Sequence, residues 1–175
     1  MKSERLEYLP LDKSCAKDLY NLWSNGTVVK YMVCPRQNSV DECIEWIEKL
    51  LTNQKEPNVF IAKYDGKLIG IAGVPKWYSD KLEYGLHYQI AEKYWGNGFA
   101  YEIAETMIEY AFKECKAETI DTYVVTENIG SIKVLEKIGM NLLETRIDEF
   151  IKNGVIYDEY HYIINKEEWN SKCTK

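Results

Sequence analysis

Tyr94-Trp95-Gly96-Asn97-Gly98-Phe99-Ala100 is the stretch on which the reading of this chain turns. Before it comes an alternating, tyrosine-rich run from Leu82 to Ile90, which predicts a strand. After it Ala100, Ala104, Met107, Ile108, Ala111 and Phe112 recur at helical spacing, which predicts a helix from Phe99 to about Cys115. Glycines between a strand and a helix let the backbone turn tightly, so that several N–H groups point at one spot. The helix start adds unpaired N–H groups and the positive end of its dipole. Such a turn suits a phosphate or pyrophosphate, although a turn without any ligand accounts for the glycines equally well. A Walker A loop is excluded, because no lysine followed by Ser or Thr closes it. The dinucleotide fingerprint fails too: Tyr101 stands where its third glycine belongs, and the loop lies well beyond a first βαβ unit.

Outward from this loop, local signals divide the rest of the chain. A strand is expected over Arg5–Leu9, then a helix capped by Asp12 or Ser14 and running to about Trp23. Ser39 and Glu42 form a capping box ahead of an apolar stripe through Cys43, Ile44, Ile47, Leu50 and Leu51. Strands Asn58–Tyr64 and Lys67–Val74 flank a hairpin-type Asp65-Gly66 turn. Thr119–Val125 is β-branched and aromatic, and Asn128–Lys137 is a short helix stopped by Gly139. Asn141–Ile151 and Val155–Ile164 make a second hairpin around Asn153-Gly154. Strands interleaved with helices predict α/β or α+β layering.

With 175 residues and no repeat or linker, residues 1–175 are expected to form one domain that buries roughly 70% of its surface. Five scattered cysteines without a CxxC pair argue for free thiols in a reducing cytoplasm and against a structural metal site. A net charge of −6 argues against general nucleic-acid binding, and no apolar run is long enough to span a membrane.

A second element adds specificity. Asn128-Ile129-Gly130-Ser131 opens the short helix and continues through Val134-Leu135-Glu136-Lys137-Ile138-Gly139-Met140. Together with Tyr94–Ala100 and Ala111-Phe112, this resembles the GNAT superfamily of acyl-CoA-dependent N-acetyltransferases. The likeness is greatest to its RimJ/RimL-like branch, which includes enzymes acetylating ribosomal-protein N-termini, and it runs through essentially the whole chain. The resemblance implies a GNAT fold: a mixed, mostly antiparallel sheet of about seven strands flanked by helices on both faces. It implies acetyl-CoA as cosubstrate, no metal, a small-molecule or peptide amine acceptor and the capacity to pair as a homodimer. Carried over by motif, Tyr88, Gln89 and Ile90 would lie along the pantetheine arm. The N–H groups of Trp95, Gly96, Asn97, Gly98, Phe99 and Ala100 would take the pyrophosphate. Trp95 departs from the usual Gln or Arg of the superfamily. Asn128 would hydrogen-bond the pantetheine, although read alone it is an equally good helix N-cap.

The chemistry expected is direct attack of a neutral amine on the thioester. A lysine-like amine of pKa ~10.4 is neutral about once in 2,500 at pH 7, a deficit of roughly 4.6 kcal/mol, against about 1 kcal/mol for an α-amino group. Expelling the thiol unprotonated costs only roughly 2 kcal/mol. Many superfamily members place a tyrosine acid seven residues after the motif Asn, where this chain has Leu135. The branch pattern implies Ser131 as the acid and Glu149, before Phe150, as the base. Glu83 is the rival base, on the strand that feeds the loop. His87 and His161 read as ordinary strand residues, and Trp46, Trp77 and Tyr78 as either core or pocket wall. Two rivals stay open from sequence: a non-catalytic acyl-CoA-binding module on the same fold, and a nucleotide-binding oxidoreductase.

Overall fold

The computed structural model describes residues 1–52, 58–76 and 81–173; Trp77 and Tyr78 lie outside the described residues. The elements are β1 (Leu6–Pro10), α1 (Ala16–Trp23, entered through a 3-10 turn at Lys13–Cys15), α2 (Gly26–Val29), α3 (Val40–Thr52), β2 (Val59–Tyr64) and β3 (Lys67–Gly73). Then come β4 (Glu83–Gly85), β5 (His87–Ile90), α4 (Phe99–Lys113), β6 (Thr119–Val125), α5 (Ile129–Ile138), β7 (Asn141–Lys152), β8 (Val155–Asn165) and α6 (Lys166–Cys173).

Local chemistry explains most boundaries. Asp12 accepts the Ser14 N–H at 2.6 Å, and Ser39 accepts the Glu42 N–H at 3.1 Å. The Glu42 carboxylate reaches back to the N–H of Asn38 rather than to that of Ser39, a capping box displaced by one residue. Asp65-Gly66 and Asn153-Gly154 both take positive φ at both positions, as a type I′ hairpin requires. Gly139, at φ +88, ends α5, where Met140 donates back to the Leu135 carbonyl.

Eight strands form two four-stranded sheets, ordered β1-β2-β3-β5 and β4-β6-β8-β7. All pairs are antiparallel except β4 with β6. The Leu82–Ile90 run, expected as one strand, is therefore two strands in different sheets. Gly85 donates to Pro75 on one side, and Leu86 donates to the Asp121 carbonyl on the other. The Thr122 hydroxyl donates to the Leu86 carbonyl at 2.8 Å, at the point where the β4–β6 ladder ends. Beyond this point β5 stays with β3 while β6 stays with β8, and the two sheets diverge.

Two apolar cores cover the two faces. One joins α4 and α5 to both sheets through Ile103, Met107, Ile108, Ile120, Val124, Ile132 and Leu135. The other packs α1 and α3 on β2 and β3 through Leu19, Trp23, Ile47, Ile61 and Ile71.

Candidate active site

Strand alternation fixes which backbone groups face the opening between β5 and β6. Gly85 and Ala91 donate to Pro75 and Ile69, on the β3 side, and Leu86 donates to β6. The backbone groups of His87 and Gln89 therefore face β3, and those of Tyr88 and Ile90 face the cleft. On the far wall Thr126 donates to β8, so the backbone groups of Tyr123 face the cleft. The diverging edges of β5 and β6 thus line a wedge whose apex is Leu86, Asp121 and Thr122. Gln89 is not on this edge: its side chain accepts the indole N–H of Trp23 at 2.7 Å, on the α1 face. The Ile90 carbonyl is taken by the Trp95 indole N–H at 2.8 Å, which leaves only the Ile90 N–H facing the cleft.

The wedge opens towards the glycine turn. Gly96 and Gly98 both adopt positive φ, +76 and +78, and Gly98 is the N-cap of α4. The Trp95 N–H is spent on Glu92, at 3.0 Å. The N–H groups of Gly98, Phe99 and Ala100 open the helix with no acceptor among the described residues. A Cβ at Gly96 would meet nothing within 4 Å, so the turn faces open space. Arg5, which no sequence motif marks, braces the turn: its guanidinium donates to the Asn97 carbonyl at 3.0 Å and stacks on Phe99. Its other nitrogen lies 3.5 Å from the Cβ position of Gly98, and its Nε is held by Glu102 at 2.7 Å. A cation beside the N–H groups that open a helix suits a pyrophosphate, and two diverging strand edges suit the amides of a pantetheine arm.

Asn128 caps α5, accepting the Ser131 N–H at 3.4 Å, and its amide nitrogen has no partner among the described residues. Ser131 faces Tyr88 across the wedge. The Tyr88 hydroxyl is buried and makes no well-formed hydrogen bond among the described residues; burial pushes its pKa up to about 12, and the nearby Ser131 hydroxyl acts in the opposite direction. Leu135 is buried in the α5 core at 2% exposure and reaches no polar group.

The other side of the sheet carries the remaining titratable groups. Register places Glu83, Gly85, His87, Asp121, Tyr123, His161, Glu159 and Arg146 on this face. Desolvation pushes the His87 pKa down to about 4, so its imidazole is neutral at pH 7. His161 holds Asp121 at 2.9 Å and stacks on Tyr123 with centroids 4.3 Å apart. Glu149 is exposed and ion-paired to Arg146 at 2.8 Å, and Arg146 lies over the Tyr123 ring. Burial raises the pKa of Glu159, Arg146 opposes the rise, and Glu149 adds to it. Glu83 is half-buried and pairs with Lys81 at 3.6 Å. The Tyr31 hydroxyl reaches Glu127, and its ring meets Tyr157 edge-on. Lys152 donates to the Met32 and Cys34 carbonyls at 2.7 Å each, which ties the long hairpin to the segment after α2. Ser131 and the two glutamates are therefore not in one cluster: the serine lies on the α5 face of the sheet and the glutamates on the opposite one. Trp46 packs against the α1–α3 core, with Lys49 over its ring.

An open groove of about 880 Å³ lies apart from this wedge, between α1, the β2–β3 turn and residues 91–94. It touches neither the glycine turn nor Ser131. Among the described residues no group of three His, Cys, Asp or Glu side chains could hold a metal, and no helix is long and apolar enough to cross a membrane.

Comparison with known proteins agrees with this geometry. Residues 5–141 match the family model described as an acetyltransferase (GNAT) domain. The chain belongs to that family, and its class is that of the acetyl-CoA-dependent N-acetyltransferases. It is 27% identical to an FsC-acetyl coenzyme A-N(2)-transacetylase of Aspergillus fumigatus, over 97% of this chain and 77% of that one. It is 30% identical to the uncharacterized N-acetyltransferase YnaD of Bacillus subtilis, over 87% and 88% of the two chains. Among solved structures, a GNAT-family acetyltransferase from Bacillus anthracis superposes with a TM-score of 0.84 at 25% identity, covering 96% of this chain and 99% of that one. A spermidine N-acetyltransferase from Vibrio cholerae, solved with CoA and spermine, shares the fold with a TM-score of 0.82 at 21% identity over 95% and 98% of the chains. Eight strands in two sheets replace the roughly seven in one sheet expected from sequence, within the same fold.

Proposed function

We propose that this chain is a RimJ/RimL-like N-acetyltransferase that moves the acetyl group of acetyl-CoA onto a primary amine of a small molecule or a peptide. The observation that carries this reading is the wedge between β5 and β6, where the two strands diverge beyond the Leu86–Thr122 apex and open towards the N–H groups of Gly98, Phe99 and Ala100 at the start of α4. In this reading Tyr88, Ile90 and the Asn128 amide hold the pantetheine arm. The turn from Gly96 to Ala100, with Arg5 behind it, holds the pyrophosphate. The acceptor enters from the opposite face, past Tyr31, Tyr157 and Tyr123.

Two roles follow on that face. Glu149 removes the amine proton directly or through water, with Glu83 as the competing base. Ser131, at the start of α5, stabilises the departing sulfur. The carboxylates of Glu149 and Glu159 beside Arg146, and of Glu144 beside His161, favour a cationic acceptor. We also place the whole chain, 1–175, in one domain working in the cytoplasm without nucleic acid or membrane; the free thiols of Cys15, Cys34 and Cys43 and the net charge of −6 support this. Pairing of two copies is supported by β7, a twelve-residue edge strand with Leu142, Leu143, Ile147 and Ile151 exposed.

The test has two parts. Acetyl-CoA at 100 times its dissociation constant should stabilise the fold by ~2.7 kcal/mol, and NAD should not. Release of free thiol from acetyl-CoA across a panel of polyamines, amino acids and N-terminal peptides then identifies the acceptor. Stabilisation by NAD equal to that by acetyl-CoA would overturn the reading.

A further inference from the structure

The superfamily's usual proton donor is missing from this chain, and its place is sealed. Leu135 occupies it and is buried among the side chains of α4, α5 and β6, so no polar group can work from that turn of α5. A different phenol reaches the same region from the other wall. Tyr88, with Ile90, projects its side chain onto the α4–α5 face, as β5 alternation requires, and its ring packs against the core on that side. Its hydroxyl is directed at Ser131, the first-turn serine of α5.

That hydroxyl is buried and, although Ser131 lies near it, makes no well-formed hydrogen bond among the described residues, unlike the phenols of Tyr8 and Tyr84. Tyr8 reaches Ser3 and Thr106, and Tyr84 reaches the Cys115 carbonyl. A buried hydroxyl left without a full partner lowers the stability of the fold. A fold that keeps one at the wall of a ligand cleft gains from it when the ligand brings an acceptor. The backbone of the same residue is one of the two open strand edges, so the phenol and the groups assigned to the pantetheine arm move as one unit.

Resting on the acetyltransferase reading above, we propose that the Tyr88 hydroxyl, with Ser131 opposite, donates a hydrogen bond to the acyl sulfur as the thioester breaks, replacing the donor that Leu135 cannot supply. In this step the amine nitrogen forms a bond to the acetyl carbon, and the C–S bond breaks with its electron pair going to sulfur. The amine proton leaves on the base side. The sulfur departs as a thiolate held by two hydroxyls and takes its proton from solvent. Tyr88 keeps its own proton throughout: burial holds its acidity well below that of a thiol of pKa ~8.5, so it serves as a fixed donor rather than as a proton source. A donor that stays protonated at every working pH is useful at the point where negative charge develops.

Tyr88→Phe removes only the hydroxyl, and Ser131→Ala removes its neighbour. The reporter is the thiol of bound CoA, whose ionisation is followed by thiolate ultraviolet absorbance while pH is varied, alongside kcat and KM with the best acceptor. Tyr88→Phe should bind CoA as wild type does, raise the pH at which the bound thiol ionises by about one unit, and lower kcat on the order of tenfold with KM for acetyl-CoA unchanged. The double variant should lose less than the product of the single losses, because both hydroxyls serve one atom. If CoA bound to Tyr88→Phe ionises at the wild-type pH, the proposal is wrong while the acetyltransferase reading stands. Loss of CoA binding in Tyr88→Phe would make the residue a packing or binding element and would equally overturn the proposal. Failure of the wild-type protein to bind CoA at all would remove both readings together.

Discussion

The indole N–H of Trp23 donates to the side-chain oxygen of Gln89 at 2.7 Å, joining α1 to the strand that forms one wall of the cofactor wedge. Trp23 is fully buried, so Gln89 supplies the acceptor that its N–H needs inside the protein. Removing that acceptor strands the donor. Gln89→Ala is expected to cost about 1–3 kcal/mol in urea unfolding while changing CoA affinity less than threefold, roughly. A large loss of CoA affinity in a stable Gln89→Ala protein would show that this side chain belongs to the cofactor site.

Gly98 sits at φ +78 directly before α4, with Arg5 Nη2 3.5 Å from where a Cβ would be. A β-branched residue resists that backbone angle, and its side chain would press on Arg5 and on the N–H cradle. Gly98→Val is therefore expected to weaken CoA binding by about tenfold or more, with a smaller effect on folding. Titration calorimetry of the folded variant decides the point; an unchanged dissociation constant would reduce the loop to a plain turn.

Glu102 anchors the same region from below. Burial alone would push its carboxyl pKa up, but the Ser3 hydroxyl at 2.6 Å, the Arg5 N–H at 2.7 Å and the Arg5 guanidinium together hold it below the ordinary range. A folded-state pKa that is depressed stabilises the protein above the unfolded value of ~4.3, and the gain disappears as pH falls through the folded value. Glu102→Gln should lose about 2 kcal/mol at pH 7, and its stability gap to wild type should close as pH falls through the depressed folded-state value. A gap that stays constant as the medium is acidified would mean that Glu102 contributes by packing and not by charge.

The base is tested by comparing Glu149→Gln with Glu83→Gln over a range of pH. With a lysine-like acceptor at pH 7, Glu149→Gln is expected to lower kcat by about 100-fold, and much of the loss should return as the amine deprotonates unaided. CoA affinity should hold, because Glu149 lies with Arg146 on the face opposite Ser131. If the pH-rescued loss belongs to Glu83→Gln, the base sits on β4.

Local interactions in the sequence determined much of this protein. The Asp65-Gly66 and Asn153-Gly154 turns, the capping residues Asp12 and Ser39, the apolar stripe of α4 and the glycines at 96 and 98 all act within a few residues of themselves, so periodicity and turn chemistry predict them correctly. What remained out of reach depends on residues distant along the chain. Nothing near Leu86 announces that the Thr122 hydroxyl will take its carbonyl and split one alternating run into β4 and β5, yet that bond sets where the wedge begins. The short helices α2 and α6 carry too little periodicity to be seen. Arg5 and Glu102 carry no motif, and only packing of the chain's start beneath α4 brings them to the glycine turn. Tyr88 read as a backbone contact of the cofactor because strand pattern gives a residue's face and not what its hydroxyl meets. Tertiary structure alone decided that this phenol faces Ser131, because the strand and the helix that carry them belong to opposite walls of the cleft, and no short-range rule couples the two.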